Sequence, residues 1–526
     1  MTQNRQSKTE PELQQHVIWQ DGRVPDPCII VIFGATGDLT QRKLLPTLAH
    51  IIHNHPVPEH FYIIAFARRP LNDDQWRAMA VESLSKYMPE DDKLDEAAQR
   101  GFAQRTFYCQ ANFDDLQGYR KLADMLDRFD REKGTRGNRL FYLATPPELD
   151  SEIIAHLGEA GLAHASSHNG NGNGWTHIVI EKPFGHDLAS AQALNQDLAR
   201  VFQEKQIYRI DHYMAKETVQ NIMAFRFSNG IFEPLWNQKY IDYVQIVVAE
   251  DLGIGTRAEF YESAGAIRDI VQNHIMQVLC LTTMEPPVSF DADAIRDEKV
   301  KVLHSIPSLT PEEVKQRVVR GQYTVGEMNG QSVKGYREEQ GVRPDSTTET
   351  YVALKLFIEN WRWADVPFYI RTGKRLPSRS TEVTIQFKRV PHQLYKPSET
   401  QGLVPNRLTI HVQPDEGISL KIGAKVPGAA RHLRSVDMGF AYASAFGIEL
   451  PDAYERLIAD CIMGDSTLFI RRDEIEASWR IIDSITNVWK DMPASSVHPY
   501  AAGTWGPREA EDLIERDGRQ WDNPEI

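Results

Sequence analysis

The run Cys28-Ile29-Ile30-Val31-Ile32-Phe33 stops at Gly34-Ala35-Thr36-Gly37-Asp38-Leu39, and no other feature of the chain narrows the fold as much. A short, continuously apolar, β-rich run is the pattern of a strand covered on both faces, as in a parallel sheet. A helical stretch follows, with Leu44, Leu45, Leu48 and Ile51 on its apolar face. Further strand-like runs at residues 61–66, 139–144 and 176–180 alternate with helical sequence. That alternation implies right-handed βαβ units in a doubly wound sheet. An α/β, Rossmann-like domain is expected over residues 28–209. Beyond residue 210 the texture changes. A helical stretch at 266–284 precedes strand-like runs such as 383–387 and 408–412. These predict a larger α+β domain over 210–526, with a big, mostly antiparallel sheet. Residues 1–27 read as a flexible arm without a secretory h-region. The low-complexity segment 166–174 reads as a surface loop.

Charge narrows the partners. Among 526 residues, 59 Lys and Arg against 73 Asp and Glu give a net charge of −14. An acidic surface argues against nucleic acid, which needs a basic face. It permits a small phosphorylated substrate, which needs only a local cationic cluster. The four cysteines, Cys28, Cys109, Cys280 and Cys461, form no CxxC pair, which fits a reduced, cytoplasmic setting. No stretch is long and apolar enough to suggest a membrane span.

A strand, a glycine turn and a helix start can hold a pyrophosphate, because glycine allows close backbone approach and the helix supplies free N–H groups. Gly34 and Gly37 fit, but Thr36 and Leu39 stand where a full G-x-G-x-x-G pattern has glycine, so a plain tight turn stays open as an alternative. The second strand ends in Arg68-Arg69 with no carboxylate. Arginine there favours a 2′-phosphate, hence NADP over NAD, the alternative being two solvated loop arginines.

Three further segments carry a resemblance: Glu181-Lys182-Pro183-Phe184-Gly185, Arg209-Ile210-Asp211-His212-Tyr213-Met214-Ala215-Lys216-Glu217, and Gly265-Ala266-Ile267-Arg268-Asp269-Ile270-Val271-Gln272-Asn273-His274. With the glycine turn, their order and separations resemble the signature segments of the glucose-6-phosphate dehydrogenase family. Arg371-Thr372-Gly373-Lys374 and Pro451-Asp452-Ala453-Tyr454-Glu455-Arg456 add agreement.

The resemblance implies oxidation of D-glucose 6-phosphate at C1 to 6-phospho-D-glucono-1,5-lactone, with hydride passing to NADP⁺, the first step of the oxidative pentose phosphate pathway. It implies His274 as the base on the C1 hydroxyl and Asp211 as its orienting carboxylate. His212, Tyr213 and Lys216 match the family's phosphate-binding cluster. Lys182 and Lys374 match lysines that hold the sugar, and Glu250, Asp269 and Gln413 match acceptors for its hydroxyls. Gly34, Ala35, Thr36, Gly37, Asp38, Leu39, Arg68, Lys182 and Pro183 would contact the cofactor, with a cis bond before Pro183. A homodimer or homotetramer is implied. A second, structural NADP, found in some eukaryotic members, is expected to be absent or weak, because Ser380 and Thr384 stand beside Arg379 where basic residues are expected.

From spacing alone, Asp269 and His274 lie about 140° apart on an α-helix and would not share a face. His50, His53, His55 and His60 crowd one helix end, but no carboxylate or cysteine shell accompanies them, so no metal is expected. Tyr351 and Lys355 have the spacing of a short-chain dehydrogenase pair but read as sheet. The alternatives are another two-domain NAD(P)-dependent sugar oxidoreductase, or a catalytically inactive NADP-sensing protein on the same scaffold.

Overall fold

Strand β1 (Cys28–Phe33) is buried at all six positions, as a continuous apolar run requires. It pairs in parallel with β2 (Phe61–Ala67) on one side and β4 (Arg139–Leu143) on the other. With β3 (Thr106–Gln110), β5 (Thr176–Ile180) and β6 (Ile207–Arg209), it makes a parallel sheet of order β3-β2-β1-β4-β5-β6. The strand order reverses between β1 and β4, and ligands bind open α/β sheets at such a switch point. Phe33, Phe66, Tyr119 and Phe141 pack together beneath it, with ring centroids 4.8 to 6.3 Å apart.

A computed structural model describes residues 18–19, 22–163, 174–392, 394–395, 403–428, 432–446 and 452–524. Most of the expected N-terminal arm and nearly all of the expected loop at 166–174 lie outside the described residues. Within the arm, Ile18 and Trp19 are buried. The chain divides into two units. One holds Met1–Glu181, Asp197–Ile210 and Pro451–Ser466; the other holds Lys182–Gln196, Asp211–Leu450 and Thr467–Ile526.

The second unit is built on nine strands: β7 (Ile241–Ala249), β8 (Val318–Thr324), β11 (Tyr351–Phe357), β12 (Pro367–Gly373), β13 (Ser380–Phe387), β14 (Arg407–Gln413), β15 (Gly417–Lys425), β16 (Leu433–Ala441) and β17 (Val497–Ala501). A separate small hairpin joins β9 (Gly326–Met328) to β10 (Gln331–Val333). The large sheet runs β16-β15-β14-β13-β7-β12-β11-β8-β17, and only the β7–β12 and β8–β17 pairings are parallel. Tyr351 and Lys355 lie in β11, as strand residues. A tyrosine-rich core that includes Tyr261, Tyr323, Tyr336, Tyr351, Tyr369 and Tyr500 fills one region of this unit.

The stretch read as one helix from 266 onward has three parts. An α-helix at Ala258–Ala266 is broken at Gly265, a π-helix runs Ile267–Ile275, and an α-helix continues at Met276–Thr283. Gly265 has φ +63°, and a Cβ there would lie 2.2 Å from Glu349 Oε1. No other residue fits that backbone and that approach. The Glu349 backbone carbonyl accepts from the Ala266 N–H at 3.0 Å and its buried carboxylate Oε1 from the Ile267 N–H at 3.2 Å, so backbone and side chain of this one residue together start the helix. No helix among the described residues is long and apolar enough to cross a membrane.

Candidate active site

The π-helix changes the expected geometry. An α-helix sets residues five apart about 140° from one another, whereas a π turn closes between them. Asp269 and His274 therefore share a side, contrary to the expectation from α-helical spacing. Lys182 Nζ bridges them, donating to Asp269 Oδ1 at 3.2 Å and to His274 Nε2 at 3.0 Å. The bond between Lys182 and Pro183 is cis.

Asp211 lies two residues past the end of β6. Its Oδ1 accepts from the Tyr213 N–H at 2.9 Å and from His274 Nδ1, while Oδ2 is buried with no hydrogen-bond partner among the described residues. Asp211 and His274 are each about 1% exposed. Tyr213 stacks on the His274 ring at 4.2 Å, and His212 meets its edge at 4.6 Å. These contacts fix the imidazole. Nδ1 carries the proton toward Asp211, and the Nε2 lone pair faces Lys182.

Electrostatics agree with that tautomer. Burial would push the Asp211 carboxyl up, but His274, His212 and the Tyr213 N–H outweigh it and hold it at about 2. Burial, helped by the Lys182 ammonium, holds His274 below the usual histidine range against the pull of Asp211. Burial, followed by His274 and Lys182, lowers His212 well below it. A neutral imidazole on an ionised carboxylate is the arrangement a general base needs near neutral pH.

The remaining sugar-site candidates join the same network. Glu250 and Lys374 follow the adjacent parallel strands β7 and β12, whose register sets them side by side. Lys374 Nζ donates to Glu250 Oε2 at 2.7 Å and stands 3.9 Å from Asp269 Oδ2. Lys374 is 2% exposed. Lys216, at the start of the helix Glu217–Phe227, donates to Gln413 Oε1 at 2.5 Å. Gln413 ends β14 and donates to Thr381 Oγ1, which also meets the Tyr213 hydroxyl at 3.4 Å. Sequence reasoning did not single out Thr381 or Glu349. Each acts through a contact more than eighty residues away, Thr381 with Tyr213 and Glu349 with Ile267, which no local pattern reveals.

In the other unit, Gly34 has φ +78°, and a Cβ there would lie 2.4 Å from the Ala144 carbonyl at the end of β4. Backbone thus fills the switch point closely, and the helical segment opens within a few residues, its first turn a π turn at Thr40–Leu44. Asp38 is exposed and paired with Arg42 at 2.7 Å. Arg68 is exposed at the tip of β2, its guanidinium 5.8 Å from the centre of the Phe113 ring. Lys182 and Pro183 belong to the second unit.

The histidine-rich helix end also departs from expectation. A carboxylate does accompany it: Glu455 Oε1 accepts from His50 Nδ1 at 3.1 Å and from His55 Nε2 at 2.7 Å.

Comparison with known proteins places these features. The glucose-6-phosphate dehydrogenase NAD binding domain matches residues 31–221, and the glucose-6-phosphate dehydrogenase C-terminal domain matches 223–522. A glucose-6-phosphate 1-dehydrogenase of Chlamydia pneumoniae is 48% identical over 501 residues, covering 95% of this chain and 96% of that protein. One of Aggregatibacter actinomycetemcomitans is 46% identical, covering 94% and 97%. A solved glucose-6-phosphate dehydrogenase in complex with its substrate glucose-6-phosphate superposes with a TM-score of 0.85 at 33% identity, over 95% of this chain and 99% of that one. The chain belongs to the glucose-6-phosphate dehydrogenase family.

Proposed function

We propose that this chain oxidises D-glucose 6-phosphate at C1 to 6-phospho-D-glucono-1,5-lactone with NADP⁺ as acceptor, and that the network around His274 does the work. The observation that carries this reading is the buried Asp211–His274 pair, with Nε2 left as acceptor. His274 Nε2 takes the proton from the C1 hydroxyl. Asp211 holds the tautomer and stabilises the imidazolium that forms, the base-and-orienter logic of catalytic dyads. Lys182, within hydrogen-bond reach of the same nitrogen, shifts its ammonium to a sugar oxygen and keeps His274 neutral before the reaction. Lys374, Glu250 and Asp269 supply paired donors and acceptors for sugar hydroxyls. Lys216, with His212, Tyr213 and Gln413, holds the 6-phosphate through charge-assisted hydrogen bonds. Burial of the dyad excludes water and strengthens each interaction.

The residues present fit a dinucleotide. Gly34, Ala35, Thr36, Gly37, Asp38 and Leu39 offer close backbone and helix N–H groups to a pyrophosphate, and Arg68 offers its guanidinium to a 2′-phosphate. In the second unit, Lys182 lies beside His274, and it and the cis-linked Pro183 are the residues assigned to the nicotinamide. NADP⁺, when bound, supplies the hydride acceptor.

The chain works in the cytoplasm as a homo-oligomer. Support for self-association comes from β16, where Val436, Met438 and Phe440 stand 40%, 56% and 41% exposed on one face of an edge strand. Monomers rarely leave such a row open.

The test is reduced-nicotinamide absorbance with glucose 6-phosphate and NADP⁺ or NAD⁺, with unphosphorylated glucose as control. Turnover that needs both the 6-phosphate and NADP⁺ is expected. Equal rates with NAD⁺ would remove Arg68 from its role. Tight NADP⁺ binding without turnover would make the chain a sensor rather than an enzyme.

A further inference from the structure

The cluster of His50, His55 and Glu455 takes no part in the chemistry above, yet it is built from side chains far apart in sequence. His50 lies in the helix Leu45–Asn54, His55 caps the C-terminal end of that helix, and Glu455 lies in the first turn of the helix Ala453–Met463. All belong to the first unit. One potential ligand atom from each falls within 4.8 Å of the other two. We propose that these three residues form a binding site for a divalent transition-metal ion, of which Zn²⁺ is the type.

The donor set is the first reason. Two imidazole nitrogens and one carboxylate suit Zn²⁺ and its neighbours, whereas Mg²⁺ and Ca²⁺ prefer oxygen alone. Distance is the second. Four-coordinate zinc at about 2.0–2.1 Å from its ligands sets them roughly 3.3 Å apart. His50 Nδ1 and His55 Nε2 stand 3.1 Å and 2.7 Å from Glu455 Oε1, near that spacing, and one nitrogen of each ring falls within 4.8 Å of the other, so the two imidazoles must draw together to admit an ion. Position is the third. The Glu455 and His55 side chains are 5% and 8% exposed, which holds them in place, while His50 at 27% leaves a solvent side for a fourth, water ligand. Charge is the fourth: Asp92 and Asp452 add negative potential at His50.

Binding would displace the protons that His50 and His55 now share with Glu455, and would tie Ala453–Met463 to the helix that follows the glycine turn. The ion is a clamp on that helix and touches no reacting atom.

Chelator-stripped full-length protein titrated calorimetrically with Zn²⁺ alone, with Mg²⁺ as control, tests this. A single zinc equivalent is expected at this cluster, with no response to Mg²⁺. His50→Gln, a partly exposed change that leaves the fold in place, should weaken that equivalent at least about tenfold, as loss of a direct ligand demands. Zinc should also slow amide exchange in Ala453–Met463 in the wild type and not in His50→Gln. Asp211, His212 and His274 bring three ligand atoms equally close, so His212→Gln is titrated in parallel. Loss of the equivalent in His212→Gln alone would overturn the proposal. So would unchanged binding in His50→Gln, or no binding tighter than millimolar in the wild type.

Discussion

Two histidine–carboxylate clusters in this chain use the same chemistry and shift their histidines in opposite directions. In the second unit, Asp211 faces His274, and burial holds the imidazole below its usual range. In the first, Glu455 faces His50, and the hydrogen bond lifts the imidazole above it, despite partial burial. A carboxylate neighbour therefore does not by itself decide the charge of a histidine. Solvent exposure and the next cation do. His274 is sealed from water with the Lys182 ammonium 3.0 Å from Nε2, so the charged form is penalised twice. His50 keeps about a quarter of its side chain in water and has Asp92 and Asp452 nearby, so the charged form is favoured. The first environment makes a base. The second makes an ion pair or a ligand set.

The largest effect that could break this contrast is loss of the base. His274→Asn should lower kcat about a thousandfold, the upper part of the range for general-base removal, while NADP⁺ affinity by calorimetry stays near wild type. A variant within tenfold of wild type would strip His274 of its role. Asp211→Asn should cost about a hundredfold in kcat, because an amide can hold the wrong tautomer. It also carries a sign. Asp211 pulls the His274 pKa up, so removing its charge should move the acid limb of the kcat/KM profile to lower pH. Lys182→Gln should cost about tenfold and move the same limb to higher pH, because the ammonium pushes that pKa down. An acid limb that moves in neither variant would mean that burial alone sets the His274 state.

How much of this was legible in sequence follows from range. The apolar run 28–33 and the glycine turn are local, and with the alternating runs after them they predicted the doubly wound parallel sheet; its strand order came only from the structure. Arg68 at a strand tip was legible for the same reason. Asp269 and His274 could be placed together only through the family resemblance, because periodicity assumes an α-helix and the segment Ile267–Ile275 is a π-helix. The causes of that helix start are Gly265 and Glu349, eighty-four positions apart, and the pattern around neither one names the other. Glu455 is the sharpest case. It lies four hundred positions from His55, so a histidine-rich stretch read by itself lacks its carboxylate.

The smallest effect tests the Glu455 side of the contrast directly. Burial opposes ionisation of Glu455, but His50 and His55 hold its carboxyl at about 2 against an ordinary 4.5. A carboxyl depressed in the folded state stabilises fully above its unfolded value and loses that contribution as pH falls toward the folded one. Glu455→Gln keeps the shape and one acceptor oxygen but loses the charge. Because charged hydrogen bonds are roughly twice as strong as neutral ones, the change should cost about 1 kcal/mol. Global unfolding of a two-unit chain is not a two-state measure, so amide exchange in Ala453–Met463 of chelator-treated protein is the better readout. At pH 6 that helix should open about fivefold more often in the variant, and the difference should shrink as pH is taken from 4.5 toward 2. A gap that stays constant over that interval would mean that Glu455 holds its helix by packing, and that its charge matters only when an ion is there to meet it.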